Sequence, residues 1–279
     1  MKKHILIPLL FLAPATFAQQ KIITQAIVNT TTNVIAPEED DLQNPGGAPG
    51  GMNFRNIMDG ETKSVTYLKN DLVKTVLKSD VGRSTIIRNN STKITTTLLE
   101  IMGNKTGFYV SDSEQTELRK KADSVMQSRQ KKDSAVSIPV DQKPATTELV
   151  DLGETKKIAG YICKKALVIT TKFPIIKDTV SVWYTNEIKL QNISSTGGLS
   201  GFGNMGAVNG LEKIDGFVMR YEMNMRRDRR MEVEVTKIDT SKEITDKEFE
   251  IPKDFEVKPM KDMRGMFGGG RGLQMQRGN

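Results

Sequence analysis

The residues able to do acid–base or nucleophilic chemistry are few. Across 279 residues there is one histidine, His4, and one cysteine, Cys163. His4 lies in an N-terminal segment that reads as a cleaved leader, so the working protein would contain no imidazole. That excludes a Ser-His-Asp triad, a Cys-His pair, a His/Cys zinc site and proton transfer through histidine. Cys163 sits in Gly160-Tyr-Ile-Cys-Lys-Lys-Ala. With no base to activate it and no second cysteine to pair with, it reads as a small buried hydrophobe. Carboxylates remain, since glycoside hydrolysis by a carboxylate pair needs no histidine. The 34 Asp and Glu residues are spread through turns and outward strand faces, and no particular pair stands out. A histidine-free carboxylate hydrolase is therefore only a minor alternative, and no catalytic residue is assigned.

Three motifs match patterns with known chemistry. Gly201-Phe-Gly203-Asn-Met-Gly206 fits G-x-G-x-x-G, but a dinucleotide site needs a strand before it and a helix after it. Asn209-Gly210 follows and would end any helix, so the segment reads as a loop. Met260, Met263 and Met266 have a thioether spacing suited to Cu(I). Arg264 stands among them and no histidine or cysteine supports them, so they read as part of a disordered Met/Gly/Arg-rich tail over 258–279. No metal and no cofactor is expected. Arg226, Arg227, Arg229 and Arg230 surround Asp228, a candidate anion-contact tip, although charge runs are more often solvated faces.

These residues need elements to position them. Lys2-Lys3, the apolar run Ile5–Leu12 and Thr16-Phe17-Ala18 form a secretory signal with cleavage expected after Ala18. The run is far short of the ~20 residues that span a bilayer, so no transmembrane segment is expected. The chain is expected in the periplasm, at the outer membrane or outside the cell. A net charge of +7 with 6% aromatics lacks the clustered basic and stacking residues of a nucleic-acid binder, and no nucleic-acid partner is expected. An anionic surface, such as lipid headgroups or polyanionic glycans, fits the charge better.

From residue 19 to 257 the pattern is period-2 alternation rich in Thr, Val and Ile, which predicts strands. They fall over 21–34, 64–69, 72–78, 84–88, 93–101, 106–111, 151–157, 160–171, 178–190, 216–226 and 229–239, with closing segments at 249–252 and 255–257. Flexible loops are expected at 37–56 and 192–209. A narrow stripe of Leu118, Ala122, Val125 and Met126 predicts one helix over 113–133, with Ser113 as its N-cap. In the hairpin, a turn centred on Asp228 would pair Met225 with Met231, Met223 with Val233 and Tyr221 with Val235. Its charged side would pair Asn224 with Glu232 and Glu222 with Glu234. The fold expected is mainly β: a single domain built on an antiparallel meander with one accessory helix.

Four segments taken in order, "ETKKIAGYICKKALV", "VSVWYTNEI", "IDGFVMRYEM" and "FEIP", resemble the GLPGLI-like secreted proteins of Bacteroidetes and a related family of unknown function. The GLPGLI string itself is absent, and Ile214-Asp-Gly-Phe-Val218 stands near its place. The resemblance implies that the meander is a curved, lipoprotein-carrier-like half-barrel with an apolar concave face. It carries no catalytic residues. On that reading Met219, Tyr221, Met223, Met225, Met231 and Val233 would form an apolar-ligand face. The chain would be a non-enzymatic envelope protein holding a lipid or other apolar ligand. A structural protein binding an envelope partner through its loops and basic tail is the alternative.

Overall fold

In the computed structural model, the residues described are 20–35, 60–79, 82–118, 120, 121, 124, 146–172, 176–191, 210–225 and 229–263. The signal segment, both expected loops, Arg226, Arg227, Met266 and the G-x-G-x-x-G segment lie outside them. Fourteen strands run in chain order: β1 (Lys21–Ile23), β2 (Gln25–Ile35), β3 (Gly60–Lys69), β4 (Leu72–Ser79), β5 (Gly82–Asn89), β6 (Ile94–Ile101) and β7 (Asn104–Ser111). They continue with β8 (Thr146–Ile158), β9 (Tyr161–Lys172), β10 (Ile176–Thr185), β11 (Ile188–Leu190), β12 (Phe217–Asn224), β13 (Arg230–Asp239) and β14 (Val257–Pro259).

Twelve strands make one sheet in the order β14-β7-β6-β5-β4-β3-β2-β13-β12-β10-β9-β8. All its pairings are antiparallel except the short β14–β7 edge. Its two ends do not meet, so the sheet is open rather than a closed barrel. β1 and β11 form a separate parallel pair. No helix among the described residues is long and apolar enough to cross a membrane, which leaves the question of membrane-spanning strands open.

Local chemistry explains the elements. Short Asn/Gly turns close the meander, and Asn70, Met102 and Gly103 take positive φ there. Residues 112–118 are helical. The N-cap is Ser111 rather than Ser113. Ser111 N–H donates to Glu114 Oε2 at 3.0 Å, and Glu114 N–H donates back to Ser111 Oγ at 3.3 Å. That reciprocal pair needs an acidic residue three positions on. Ser111 has Glu114 there, whereas Ser113 has Thr116. Ala122, Val125 and Met126 lie outside the described side chains.

The hairpin register differs from expectation by two residues. Met223 faces Met231, Tyr221 faces Val233, Glu222 faces Glu232 and Arg220 faces Glu234. Both registers keep apolar residues opposite apolar ones. The observed one also sets Arg220 against a carboxylate, where the expected one would set it against Thr236; both oppose Glu222 to another glutamate.

The buried side chains of β2, β9, β10, β12 and β13 form two cores. One gathers Val28, Leu68, Cys163, Met219 and Val235 with Ile188 of β11. The other gathers Val34, Val168, Val182, Tyr221, Met231 and Val233 beneath Leu211 and Ile214. At the far end Lys74 of β4 holds Glu248 at 2.9 Å, and Val257 of β14 lies over Gly107 of β7.

Candidate functional site

The apolar-ligand face expected on β12 and β13 is core. Met219, Tyr221, Met231 and Val233 are each at most 3% exposed, and Met223 and Met225 pack partly buried against them. The reason is that alternation fixes which side chains share a face and says nothing of what covers it. Here Leu211 and Ile214 share the core of Tyr221, Met231 and Val233, and Ile188 and Leu190 share that of Met219. Of the arginine tip, Arg229 and Arg230 are described. Arg230 is tied to Glu222 in an ion pair. Cys163 is fully buried; burial pushes its thiol up to about 11, and it donates to Tyr161 O at 3.5 Å.

The other face of the same strands carries the chemistry. Alternation turns Arg220 and Glu222 of β12, Glu232 and Glu234 of β13, Trp183 of β10 and Lys165 of β9 outward. Register then lines them up: Lys165 faces Trp183, Trp183 faces Arg220, and Arg220 faces Glu234. Between Trp183 and Tyr184 the pairing with β12 slips by one residue, a bulge of the kind that re-aims side chains. A second irregularity in β8, with Gly153 at φ 70, brings Glu154 to this face.

Arg220 is the hub. Its Nη2 lies 2.7 Å from Glu222 Oε1 and 2.9 Å from Glu232 Oε1, and its Nη1 lies 3.0 Å from Glu234 Oε2. Burial works against the guanidinium charge, but the three carboxylates outweigh it and raise its pKa. For Glu222 burial favours the neutral acid, yet hydrogen bonds from Arg220 and Arg230 prevail and hold its carboxyl below the usual range. Its carboxylate is therefore an acceptor near neutral pH, not a proton donor.

Beside this hub, Trp183 is half-buried against the first core. Lys156 Nζ lies 4.4 Å from its ring centroid and Lys165 Nζ 5.5 Å, both within cation–π range. Burial, then repulsion by Arg220, lowers the Lys156 pKa against the pull of Glu234. Lys165 is held in turn by both oxygens of Glu154, at 3.0 and 3.1 Å. The result is an aromatic ring bordered by a nearly charge-balanced set of donors and acceptors. Such a surface suits a neutral polyhydroxy ligand, whose C–H face can lie on an aromatic ring while its hydroxyls exchange hydrogen bonds with carboxylates and ammonium groups. Among the described residues no group of His, Cys, Asp and Glu is arranged to hold a metal ion.

Sequence reasoning noted the charged side of the hairpin but missed the Arg220 hub and Trp183. The signal was present in the outward alternation Arg220, Glu222, Glu232 and Glu234. What it lacked was the register that brings them together.

Residues 65–260 match the family model described as N-glycanase peptide, N-terminal domain. The chain belongs to that family. This overturns the GLPGLI-like and lipoprotein-carrier assignment. The alternating strand motifs that carried the resemblance lie inside the matched segment, and antiparallel sheets of many families share such motifs. The expectation of a non-enzymatic lipid-binding envelope protein falls with it, because the family is named for a domain of an N-glycanase. Two solved structures of PNGF-II, in space groups C2 and P21, are each 16% identical to the chain and cover 88% of it. Their TM-scores of 0.38 and 0.36 are too low to carry an argument. The chain spans about a third of their length, 33% and 34% respectively. No curated protein matches the chain.

Proposed function

We propose that this chain acts in the cleavage of N-linked glycans, as a domain that engages the glycoprotein outside the cytoplasm. Membership of the N-glycanase N-terminal domain family carries the reading. The Trp183–Arg220 face supports it, since ring, carboxylates and cations together suit a neutral saccharide. The signal segment, with its Lys2-Lys3 start and Ala18 cleavage site, supports an exported location, in the periplasm or beyond it.

Glu222, kept as a carboxylate by Arg220 and Arg230, would accept from sugar hydroxyls together with Glu232 and Glu234 beside it. Lys156, with its lowered pKa beside the Trp183 ring, would donate to ring and hydroxyl oxygens. The test uses a glycoprotein carrying one neutral N-glycan and the same polypeptide with the glycan removed. Calorimetry should show binding to the first and at least tenfold weaker binding to the second. Glu232→Gln should weaken the first. Mass spectrometry of the glycoprotein, with the chain alone and with an N-glycanase added, reads glycan release. Equal binding to both polypeptides, with no effect on release, would overturn the proposal.

A further inference from the structure

The outward row that begins at Lys165, Trp183, Arg220 and Glu234 continues across the sheet. Glu234 faces Thr31, Thr31 faces Lys63, Lys63 faces Lys78, Lys78 faces Arg83, and Arg83 faces Glu100. Three consecutive strands thus place three cations directly opposite one another. Like charges so opposed destabilise a sheet. These are interior strands, so the lysines are not blocking an exposed edge. Elsewhere in the row the charges are paired. Lys63 reaches only Glu61 of its own strand, at 3.1 Å, with both side chains largely exposed. Arg83 reaches Glu100 only at 3.9 Å, beyond hydrogen-bond distance. Glu100 is shared with Lys105, also at 3.9 Å. Lys78 has no ion pair among the described residues.

Two of these cations, Lys78 and Arg83, line an open groove with Ser79, Gly82, Glu100 and Met102, and Lys63 stands next to Lys78 in the row outside it. Met102, 83% exposed in the β6–β7 turn, gives the groove an apolar lip. A bare ion has no use for that lip; a sugar ring carrying an anionic group does. The cations lie four to six strand spacings from Trp183 on the same face, about 19–29 Å along the sheet.

We propose that Lys63, Lys78 and Arg83 form a subsite for an anionic group, carboxylate or sulfate, borne by a saccharide. The choice of a saccharide rests on the reading of the chain as a glycoprotein-engaging domain; the anion subsite rests on the opposed cations alone. The guanidinium of Arg83 offers a fork to one anionic group, and the two ammonium groups supply point charges beside it.

The experiment measures binding of dextran sulfate and of neutral dextran to the full chain, its Lys78→Thr variant and a Lys164→Thr variant. Lys164 is an exposed strand residue outside the row, so its replacement matches the change in charge and strand propensity. Dextran sulfate should bind the wild type at least tenfold more tightly than dextran does. Lys78→Thr should lose about tenfold and Lys164→Thr less than twofold. Without ligand, Lys78→Thr should melt higher than both the wild type and Lys164→Thr, because an opposed cation is gone. Equal losses in the two variants would mean diffuse charge attraction and would overturn the subsite. So would unchanged dextran sulfate binding by Lys78→Thr. The neutral-glycan comparison above reads the glycoprotein reading separately, so each can fail without the other.

Discussion

Replacing Arg220 by glutamine removes one guanidinium from three carboxylates while keeping length and polarity. The oxygens of Glu222, Glu232 and Glu234 that it holds lie 2.7, 2.9 and 3.0 Å away. Hydrogen bonds to charged groups contribute about 1.5–3 kcal/mol each when shielded from water, against about 0–1 for exposed ion pairs. The carboxylate side chains are 24–36% exposed, between those limits. Allowing for that and for the help Arg230 still gives Glu222, the expected loss is about 2–4 kcal/mol at pH 7. The pH dependence has a definite sign. Glu222 titrates lower in the folded protein than unfolded, so its contribution is present above the unfolded value of about 4.3 and is lost as pH falls through the folded value. The gap between wild type and variant should therefore narrow below about pH 4 as Glu222 protonates. Urea denaturation followed by circular dichroism at pH 7 and pH 3.5 measures both numbers. A loss under about 0.5 kcal/mol at pH 7, or one that does not shrink at pH 3.5, would refute the hub as an electrostatic unit.

Thr32, 1% exposed and opposite Val233, leaves its Oγ1 without a partner. Thr32→Val keeps the shape and should stabilise by about 1 kcal/mol in the same denaturation assay. At Gly82 an added Cβ would stand 2.2 Å from the Glu100 carbonyl oxygen, so Gly82→Ala should destabilise by about 1–3 kcal/mol and register as a lower melting temperature. Cys163, with its thiol pushed up to about 11, should react with a thiol reagent at pH 8 only as fast as the protein unfolds. Stoichiometric labelling within minutes in native buffer would contradict its burial.

Most strands were legible because period-2 alternation is a local signal. β4, β5 and β6 lie within two residues of expectation at each end. The three-residue strands β1 and β11 were expected only as the ends of longer strands, 21–34 and 178–190, and β14 only at Val257, since their parallel pairings join segments far apart in sequence. The hairpin register was off by two because either alignment satisfies the apolar face. Only the match of Arg220 to Glu234 decides between them, and that term is weak against hydrophobic patterning when a sequence is read alone. The apolar face misled for a related reason. Met219, Tyr221 and Met231 alternate as a ligand-binding face would, but Leu211 and Ile214, after a long Gly-rich segment, close over the neighbouring core. No local pattern announces a cover that arrives from elsewhere in the chain.

The outward row holds two electrostatic arrangements that imply different binding physics. Around Arg220 the charges neutralise one another, so a ligand there gains from short-range hydrogen bonds and ring contact. At Lys63, Lys78 and Arg83 the cations are only partly neutralised, by Glu61 and at 3.9 Å by Glu100, so attraction there acts over the Debye length, about 10 Å at 0.1 M salt and about 3 Å at 1 M. Salt therefore separates the two. Raising sodium chloride from 0.1 to 1 M should weaken dextran sulfate binding by at least tenfold while leaving binding of a neutral N-glycan within about twofold. If both fell together, the neutral ligand would be held through long-range charge as well, and the self-compensated picture of the Arg220 hub would be wrong. If neither fell, the anionic ligand would not be bound through the row of opposed cations.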